Sequence, residues 1–572
     1  MMNRIYFLIF LLVTAVSINA QTTSIAPEFA DTLTPKEFLP DVTVVGKDTR
    51  RDVVQMPEIV GTHIFAGKKN SLIVVNNVNG NIVNNTMRQV LAKVPGIHIW
   101  ESDGSGIQVG IATRGLSPNR SWDFNVRQNG YDISADSFGY PEAYYNPPMQ
   151  AVQRIQIIKG AGSLQFGPQL GGMVNYVLHN GSEIKKPVSF ETQNTAGSFG
   201  LINSFNAVGG NTEKFNYYAF YDHRNAAGWR ENSRYKTNTG FGAFTYKIND
   251  KWKAGIELLT YEMLSQQPGG LTDSLFNIDA QQSLRSRNWM NITWKTAAAT
   301  VDFMPSLNSH FNLKVFGLDG IRNSIGFLQP LTVKDSINAT TKEYNKRTVD
   351  IDKYKNMGAE LRHLLNYNLG NRINTLTTSV RYFRGKTERF RNGKGDTGTE
   401  FNTNITGTFP TELDFVTDNF AVAVENIFRL TEKLIIIPGA RWESLSTKAN
   451  GRINYNPDGS ENKLNGETRS RNFLLGGLAA EYHLGNTEFY TNFTQSYRPV
   501  QFSDLSANPT TDVIDPNLSD AKGYNFDLGY RGKLGSYLFF DAGVYYLNYK
   551  NRIGTITQQR ADLSTYNYRT NV

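Results

Sequence analysis

"EFYTNFTQSYR", residues 488–498, alternates its side chains with a period of two. Phe489, Thr491, Phe493, Gln495 and Tyr497 take one face, and Tyr490, Asn492, Thr494, Ser496 and Arg498 take the other. An aromatic face backed by a polar one over about ten residues suits a strand in a transmembrane barrel wall, with lipid on one side and a wet lumen on the other. "YLFFDAGVYYLN" (537–548) repeats the pattern, with Leu538, Phe540, Ala542, Val544 and Tyr546 opposed to Asp541 and Gly543.

From residue 187 onward this texture continues. Short turns are expected at 209–214, 248–253, 369–374, 430–435, 484–489 and 531–536. Long loops are expected between them, at 263–290, 323–353, 384–412, 445–471 and 499–522. A soluble sandwich or propeller has no reason to alternate loop length in this way, whereas an outer-membrane barrel does. The chain of 572 residues holds 28 Tyr, 34 Phe and 50 Gly, yet its mean hydropathy is only −0.40. Past residue 20 no run approaches the ~20 apolar residues of a membrane helix, so any crossing rests on strands.

The first twenty residues, "MMNRIYFLIFLLVTAVSINA", carry Arg4, an apolar stretch from Ile5 to Val16, and Ala20 before Gln21. They have the form of a secretory signal peptide cleaved after Ala20. Without Arg4 the mature chain has 58 basic and 51 acidic residues, a net +7, scattered among Tyr and Asn rather than clustered. An exported chain with dispersed charge is not expected to bind nucleic acid. The absence of Cys excludes disulfides, thiolate metal sites and cysteine nucleophiles. Seven scattered His show no ligand spacing, and no Ser/His/Asp or paired-carboxylate set is ordered enough to name. No enzyme activity and no resident cofactor or metal are expected.

Between the leader and the barrel lie a polar extension (21–50) and a region of short strands and turns (51–185). The latter contains an amphipathic patch, "NNTMRQVLAKVPG" (84–96), with Met87, Val90, Leu91 and Val94 on one helical face. "KGAGSLQFGPQLGGMVNYV" (159–177) packs five glycines into nineteen positions. It follows a β-branched run, "RIQII" (154–158), but lacks the helix and the Gly-Lys-Ser/Thr of a phosphate loop, so its glycines are read as backbone bends. "GKGDTG" (393–398) matches GxGxxG, but no strand–turn–helix surrounds it, and it is set aside as chance.

Taken in order, several of these stretches resemble the TonB-dependent outer-membrane receptors. "DVTVVGK" (41–47) resembles the TonB box. "QVLAKVPGIHI" (89–99), "IATRGLS" (111–117) and "IQIIKGAGSLQFGPQLGGMVNYV" (155–177) resemble the plug motifs, and "SYRPVQFSDL" (496–505) and "DPNLSDAKGYNFDLGYR" (515–531) the barrel motifs. The resemblance implies an all-β transmembrane barrel of about 22 antiparallel strands when complete, about 16 of them present here. An N-terminal α+β plug would sit in its lumen, giving a leader at 1–20, an extension at 21–50, a plug at 51–185 and a barrel at 186–572. It marks Arg114, Gly115, Lys159, Gly160, Gly167, Gly171, Gly172 and Asn175 as plug-motif residues. Asp41, Val42, Thr43, Val44 and Val45 would pair as a strand with TonB of the inner-membrane energising complex. The resemblance further implies a monomer in the outer membrane of a Gram-negative bacterium, in contact with its lipid and lipopolysaccharide.

"TRGLSPNRS" (113–121), "FGPQLGGMVNYV" (166–177), "QQPGGLTD" (266–273) and "SRNW" (286–289) most resemble the ferric dicitrate receptors. An anionic chelate calls for arginine, whose planar fork meets carboxylates two bonds at a time. Arg120 is the first candidate contact by that resemblance, followed by Arg384, Arg389 and Arg391 in the loop expected after "TTSVRYF", then Gln267 and Thr272. The loop arginines could equally be solvated or face lipopolysaccharide phosphates. The aromatic residues Trp122, Tyr140, Tyr144 and Tyr145 would suit a neutral or aryl ligand as well as citrate. A haem receptor would be expected to carry a histidine between "YRPV" and "DPNL", and none stands between Pro499 and Ile514. Other siderophores, cobalamin and oligosaccharides remain alternatives, as does a passive porin or adhesive barrel, which would lack both plug and box. About twenty residues precede the box after the leader, too few for a periplasmic signalling domain. The family ends on a terminal aromatic, whereas this chain stops at Val572, so a C-terminally truncated barrel is expected.

Overall fold

The computed structural model describes residues 52–572 apart from 103, 107, 161, 168, 457, 506–511, 536–537 and 560–564. The expected signal peptide and the box residues Asp41, Val42, Thr43, Val44 and Val45 lie outside the described residues. The described strands form five sheets, of which a six-stranded mixed sheet enclosed by a fifteen-stranded antiparallel one makes up most of the structure.

The small sheet is the plug. Its central strand Val152–Lys159 contains the β-branched run "RIQII" and pairs antiparallel with Asn70–Val74 on one side and Gly172–Leu178 on the other. Gly172–Leu178 then pairs parallel with Phe124–Gln128. Ile73, Val126, Ile155, Ile157 and Val174 close one core with Met87, Val90, Leu91 and Val94. The amphipathic face at 84–96 is therefore buried as expected, but regular helix covers only Met87–Leu91. A short turn follows, in which Val94 N–H donates to Leu91 O, and Pro95-Gly96 then ends the segment with Gly96 at φ +81°.

The large sheet has fifteen strands, each antiparallel to the next, from Ser189–Gly197 to Leu538–Lys550. The last hairpin, Ile553–Gln559 with Thr565–Asn571, pairs instead with Asp512–Ile514. Period-two alternation decides which side each residue faces. Phe489 and Phe493 are exposed on the outer wall, while Tyr490, Asn492, Thr494, Ser496 and Arg498 are buried inward. Turns of a few residues close one end, for example at 370–371 and 485–486. Longer connections close the other, at 267–288, 327–347 and 395–410.

Three sequence expectations need correction. The segment 384–412 is not a loop from its start, because the strand Arg372–Lys394 runs through Arg384, Arg389 and Arg391. The expected loop 445–471 is mostly strand, Leu434–Tyr455 and Glu461–Leu484, with only 456–460 between them. Both errors arose from treating charge density as a loop signal. These strands project beyond the hydrocarbon, where charged residues can stand on both faces of a ladder, and Arg389 pairs in register with Asp352 across it. The glycine-rich stretch also holds one helical turn, Ser163–Phe166, where the sequence indicated none. That turn sets Leu164 (3% exposed) against Gly439 and Gly477 of the barrel wall and Phe166 (4%) into the plug core beside Phe65 and Ile158.

Candidate ligand site

The glycines of 159–177 act as bends. Gly160, Gly167 and Gly172 have φ of +81°, +99° and +124°, a region costly for side-chain-bearing residues. A Cβ on Gly172 would overlap the Ile158 carbonyl, and one on Gly160 would overlap the Arg114 guanidinium. Gly171 donates its N–H to Asp123 O at 2.7 Å, joining the strand entry to the neighbouring loop. Asn175 accepts from Gly130 N at 2.8 Å and donates to Gln156 Oε1 at 2.8 Å, tying three plug segments together.

Arg114, at φ +58° before Gly115 at φ +74°, seats the plug against the wall. Its Nη2 donates to both oxygens of Asp527, at 2.7 and 2.9 Å, and to Lys159 O at 2.6 Å, while Nη1 reaches Asn525 at 2.9 Å. Lys159 donates to Pro95 O at 3.0 Å. Burial, with the Lys69 ammonium adding to it, lowers its pKa to about 8. Lys68 forms a buried pair with Glu425 at 2.8 Å, and Arg381 pairs with Asp132. Buried pairs of this kind are costly to break from one side, because the remaining charge stays desolvated.

The upper plug surface faces the long-loop half of the lumen. Asn119–Ser121 form a tight turn in which Arg120 and Ser121 both have positive φ, +53° and +51°. Two consecutive left-handed non-glycine residues store strain, and such strain gathers at functional loops. The turn projects the Arg120 guanidinium, 45% exposed, over a cavity of about 230 Å³ lined in part by Trp100, Gln108, Glu142, Tyr144, Met290 and Arg322. Arg120 donates to the Tyr140 hydroxyl at 2.7 Å and lies 3.8 Å from Glu142; that hydroxyl first, then the carboxylate, hold its pKa above the ordinary arginine value. Burial first, then Glu142, raises the Tyr144 phenol well above its usual range, so it remains a donor.

Behind the cavity, Tyr140, Tyr144, Tyr354 and Trp294 form one aromatic cluster with centroid separations of 5.7–6.2 Å. The Tyr354 hydroxyl and Trp294 indole N–H are buried and have no hydrogen-bond partner among the described residues. Three guanidiniums meet on Asp352: Arg389 at 3.1 Å, Arg391 at 2.5 Å and Arg322 at 3.4 Å. Arg391 also lies 3.3 Å from Asp350. Arg389 lies over the Tyr140 ring, 5.0 Å from its centroid, and Arg322 over Tyr144 at 5.6 Å. Four arginines thus face three carboxylates, Glu142, Asp350 and Asp352, leaving a net positive mouth.

Arg120, Arg389 and Arg391 therefore converge, through Tyr140 and Asp352. Arg384 does not: on the same strand it has opposite parity, points outward and pairs with Asp418 at 3.4 Å. Gln267 borders the cavity, its Oε1 accepting from Gln108 at 3.5 Å. Thr272 caps the helix Asp273–Ile278, accepting from Leu275 N at 3.3 Å, and is not among the residues lining the cavity. Tyr140 and Tyr144 belong to the site; Tyr145 packs deeper on Tyr261, and Trp122 meets Gln501 through its carbonyl. Sequence reasoning missed Arg322, Asp352, Glu142, Tyr354 and Trp294. Alternation counted from the inward Leu318 would have placed Arg322 in the lumen.

At the short-turn end, Glu58, Glu481 and His483 present ligand atoms within 4.8 Å of one another. Arg429 lies 2.6 Å from Glu58 and Arg531 2.9 Å from Glu481, so these carboxylates already belong to an ion-pair network between plug and barrel.

Residues 259–572 match the family described as TonB dependent receptor-like, beta-barrel, and residues 68–174 match the TonB-dependent Receptor Plug Domain. The chain belongs to the TonB-dependent receptor family. This is a family of outer-membrane receptors and transporters rather than of enzymes.

Solved structures share this fold at low identity. The unliganded ferric citrate transporter FecA superposes with a TM-score of 0.72 at 21% identity, over 88% of this chain and 73% of that one. The ferric-catecholate import receptor Fiu from K12 E. coli gives 0.68 at 12% identity, over 91% of this receptor and 79% of that one. The vitamin B12 transporter BtuB of Vibrio vulnificus (strain CMCP6) is 22% identical over 199 residues, 32% of this chain. The match spans 31% of that transporter's length. No helix among the described residues is long and apolar enough to cross a membrane.

Proposed function

We propose that this receptor binds a small polyanionic ferric chelate, with ferric citrate as the first candidate, and imports it into the periplasm with energy transmitted by TonB. The observation carrying this reading is a cavity lined by Arg120 and Arg322, with Arg389 and Arg391 meeting Arg322 on Asp352 behind it. Guanidiniums suit planar carboxylates, and a cavity of about 230 Å³ is on the scale of a small ligand. A filled lumen requires work for passage. On this reading the work comes through the box at 41–47, and iron enters as cargo, already chelated. The protein would act as a monomer, with lipopolysaccharide around its outer rim.

The test is radio-iron uptake from ferric citrate by cells expressing the receptor, with Arg120→Ala alongside. Uptake that falls sharply in the variant supports the assignment. Outer-membrane receptor that takes up no iron from citrate refutes the chelate and leaves the plug-and-barrel fold intact.

A further inference from the structure

Among the described residues lining the cavity, Glu142 is the one carboxylate. It is held by the groups an incoming carboxylate would use. Tyr144 donates its hydroxyl to Glu142 Oε2 at 2.9 Å, Tyr140 donates to the same oxygen at 3.2 Å, and the Arg120 Nε lies 3.8 Å away. The Glu142 side chain is 15% exposed, half-sheltered at the cavity wall rather than solvated above it. The donor set of the ligand site is thus already occupied by a carboxylate of the protein itself.

We propose that Glu142 is an internal counter-anion that sets the charge threshold for ligand entry. This inference rests on the anionic-chelate reading of the same site. A ligand with a single carboxylate gains nothing by replacing Glu142, because it exchanges one carboxylate for another on the same phenols and guanidinium while the displaced charge stays close by. A ligand with several carboxylates takes the Arg120–Tyr140–Tyr144 donors and also reaches Arg322, the second guanidinium lining the cavity. The site therefore discriminates by the number of anionic groups presented at once. Polycarboxylate chelates pass, and the abundant monocarboxylates do not. Discrimination of this kind requires a repulsive element as well as attractive ones, and Glu142 supplies it.

The experiment is equilibrium binding to the full-length receptor in detergent, followed by titration calorimetry, with ferric citrate and acetate as probes. The proteins are wild type, Glu142→Gln, Glu142→Asp and Arg120→Ala. Glutamine keeps an oxygen acceptor for both phenols and removes only the charge. It is expected to tighten ferric citrate about tenfold, the ratio set by removing one like charge at this distance in a partly wet site, and to admit acetate. Glu142→Asp keeps the charge and is expected to preserve wild-type selectivity. Arg120→Ala is expected to weaken ferric citrate at least tenfold. Unchanged or weaker citrate binding in Glu142→Gln, with binding still lost in Arg120→Ala, overturns the counter-anion and leaves the site assignment standing. Wild-type binding by Arg120→Ala, or no binding of either probe by any of the four proteins, overturns both.

Discussion

Asp136 offers a sharp test of how plug and barrel are matched. It is fully buried, and its Oδ1 accepts from the backbone N–H of Phe138 (2.9 Å) and Gly139 (2.8 Å), fixing the turn that carries Tyr140 into the ligand site. Oδ2 faces the barrel across Gly385, where a Cβ would come within 2.5 Å of it and within 3.1 Å of Asn356 Oδ1. Asn356 uses its N–H on Ala135 O at 2.7 Å, which leaves its Oδ1 as an acceptor beside Gly385, as Asp136 Oδ2 is. Burial raises the Asp136 carboxyl pKa above its ordinary value, with Asp132 adding to it; the two N–H groups and the Thr417 hydroxyl hold it down only in part. Between the ordinary ~3.9 and the raised folded value, the native state keeps a proton that the unfolded state has released. Stability therefore falls as pH rises through that window and stays lower above it. Asp136→Asn keeps the Oδ1 acceptor and puts an N–H where Asn356 Oδ1 and the Thr417 hydroxyl are the neighbouring acceptors. It adds one buried hydrogen bond of about 1 kcal/mol and removes an uncompensated charge of about the same size or more, for a gain of about 2 kcal/mol above the window. Calorimetry of the full chain in detergent at pH 4 and pH 8, with hydrogen exchange across 132–142, reads this directly. The gain should appear at pH 8, shrink at pH 4, and come with slower exchange in the turn. A variant less stable than wild type at pH 8, or a difference that ignores pH, would refute the reasoning.

Arg114→Ala strands Asp527 in a desolvated site and is expected to loosen the plug by about 3–5 kcal/mol, seen as new protease cleavage between residues 68 and 174; an unchanged digest would show that the pair does not hold the plug. Gly172→Ala forces a Cβ onto the Ile158 carbonyl at φ +124° and should lower the yield of folded receptor, while Gly115→Ala, with open space around its Cβ, should be milder despite φ +74°. Lys159, with its pKa lowered to about 8, destabilises the fold while charged; Lys159→Met should therefore raise the melting temperature at pH 7, and the advantage should fade between pH 8 and 10.5 as wild-type lysine loses its proton. Arg384→Ala should leave ferric citrate binding unchanged while Arg389→Ala weakens it, since adjacent odd and even positions of one strand face opposite sides. Equal losses in both would show that the binding surface lies outside the lumen.

Fold was legible because alternation is local. Ten residues around Phe489 and Tyr490 carry the wall's two faces whatever the rest of the chain does, and strand parity follows from them. Strand ends were less legible. Arg384, Arg389 and Arg391 look like loop charges until Asp352 and Asp350 are placed on the neighbouring strand, and the register that does so depends on the turn at 370–371. Sequence can supply the parity of such a strand but not the height at which it leaves the bilayer.

The site divides in the same way. Arg120 was found by its place in a plug motif, and Tyr140 and Tyr144 as nearby aromatics, all three within one stretch of chain. Arg322, Tyr354 and Asp352 come from strands more than 175 residues further on and join the site only when the large sheet wraps around the plug. Glu142 was missed for a different reason. Between two tyrosines it looks like one more surface acid, and its meaning appears only when both phenols turn toward it and Arg120 is folded over them. A carboxylate in a site built for carboxylates is informative because it opposes the local charge preference, and only the assembled geometry separates such a residue from an ordinary solvated one.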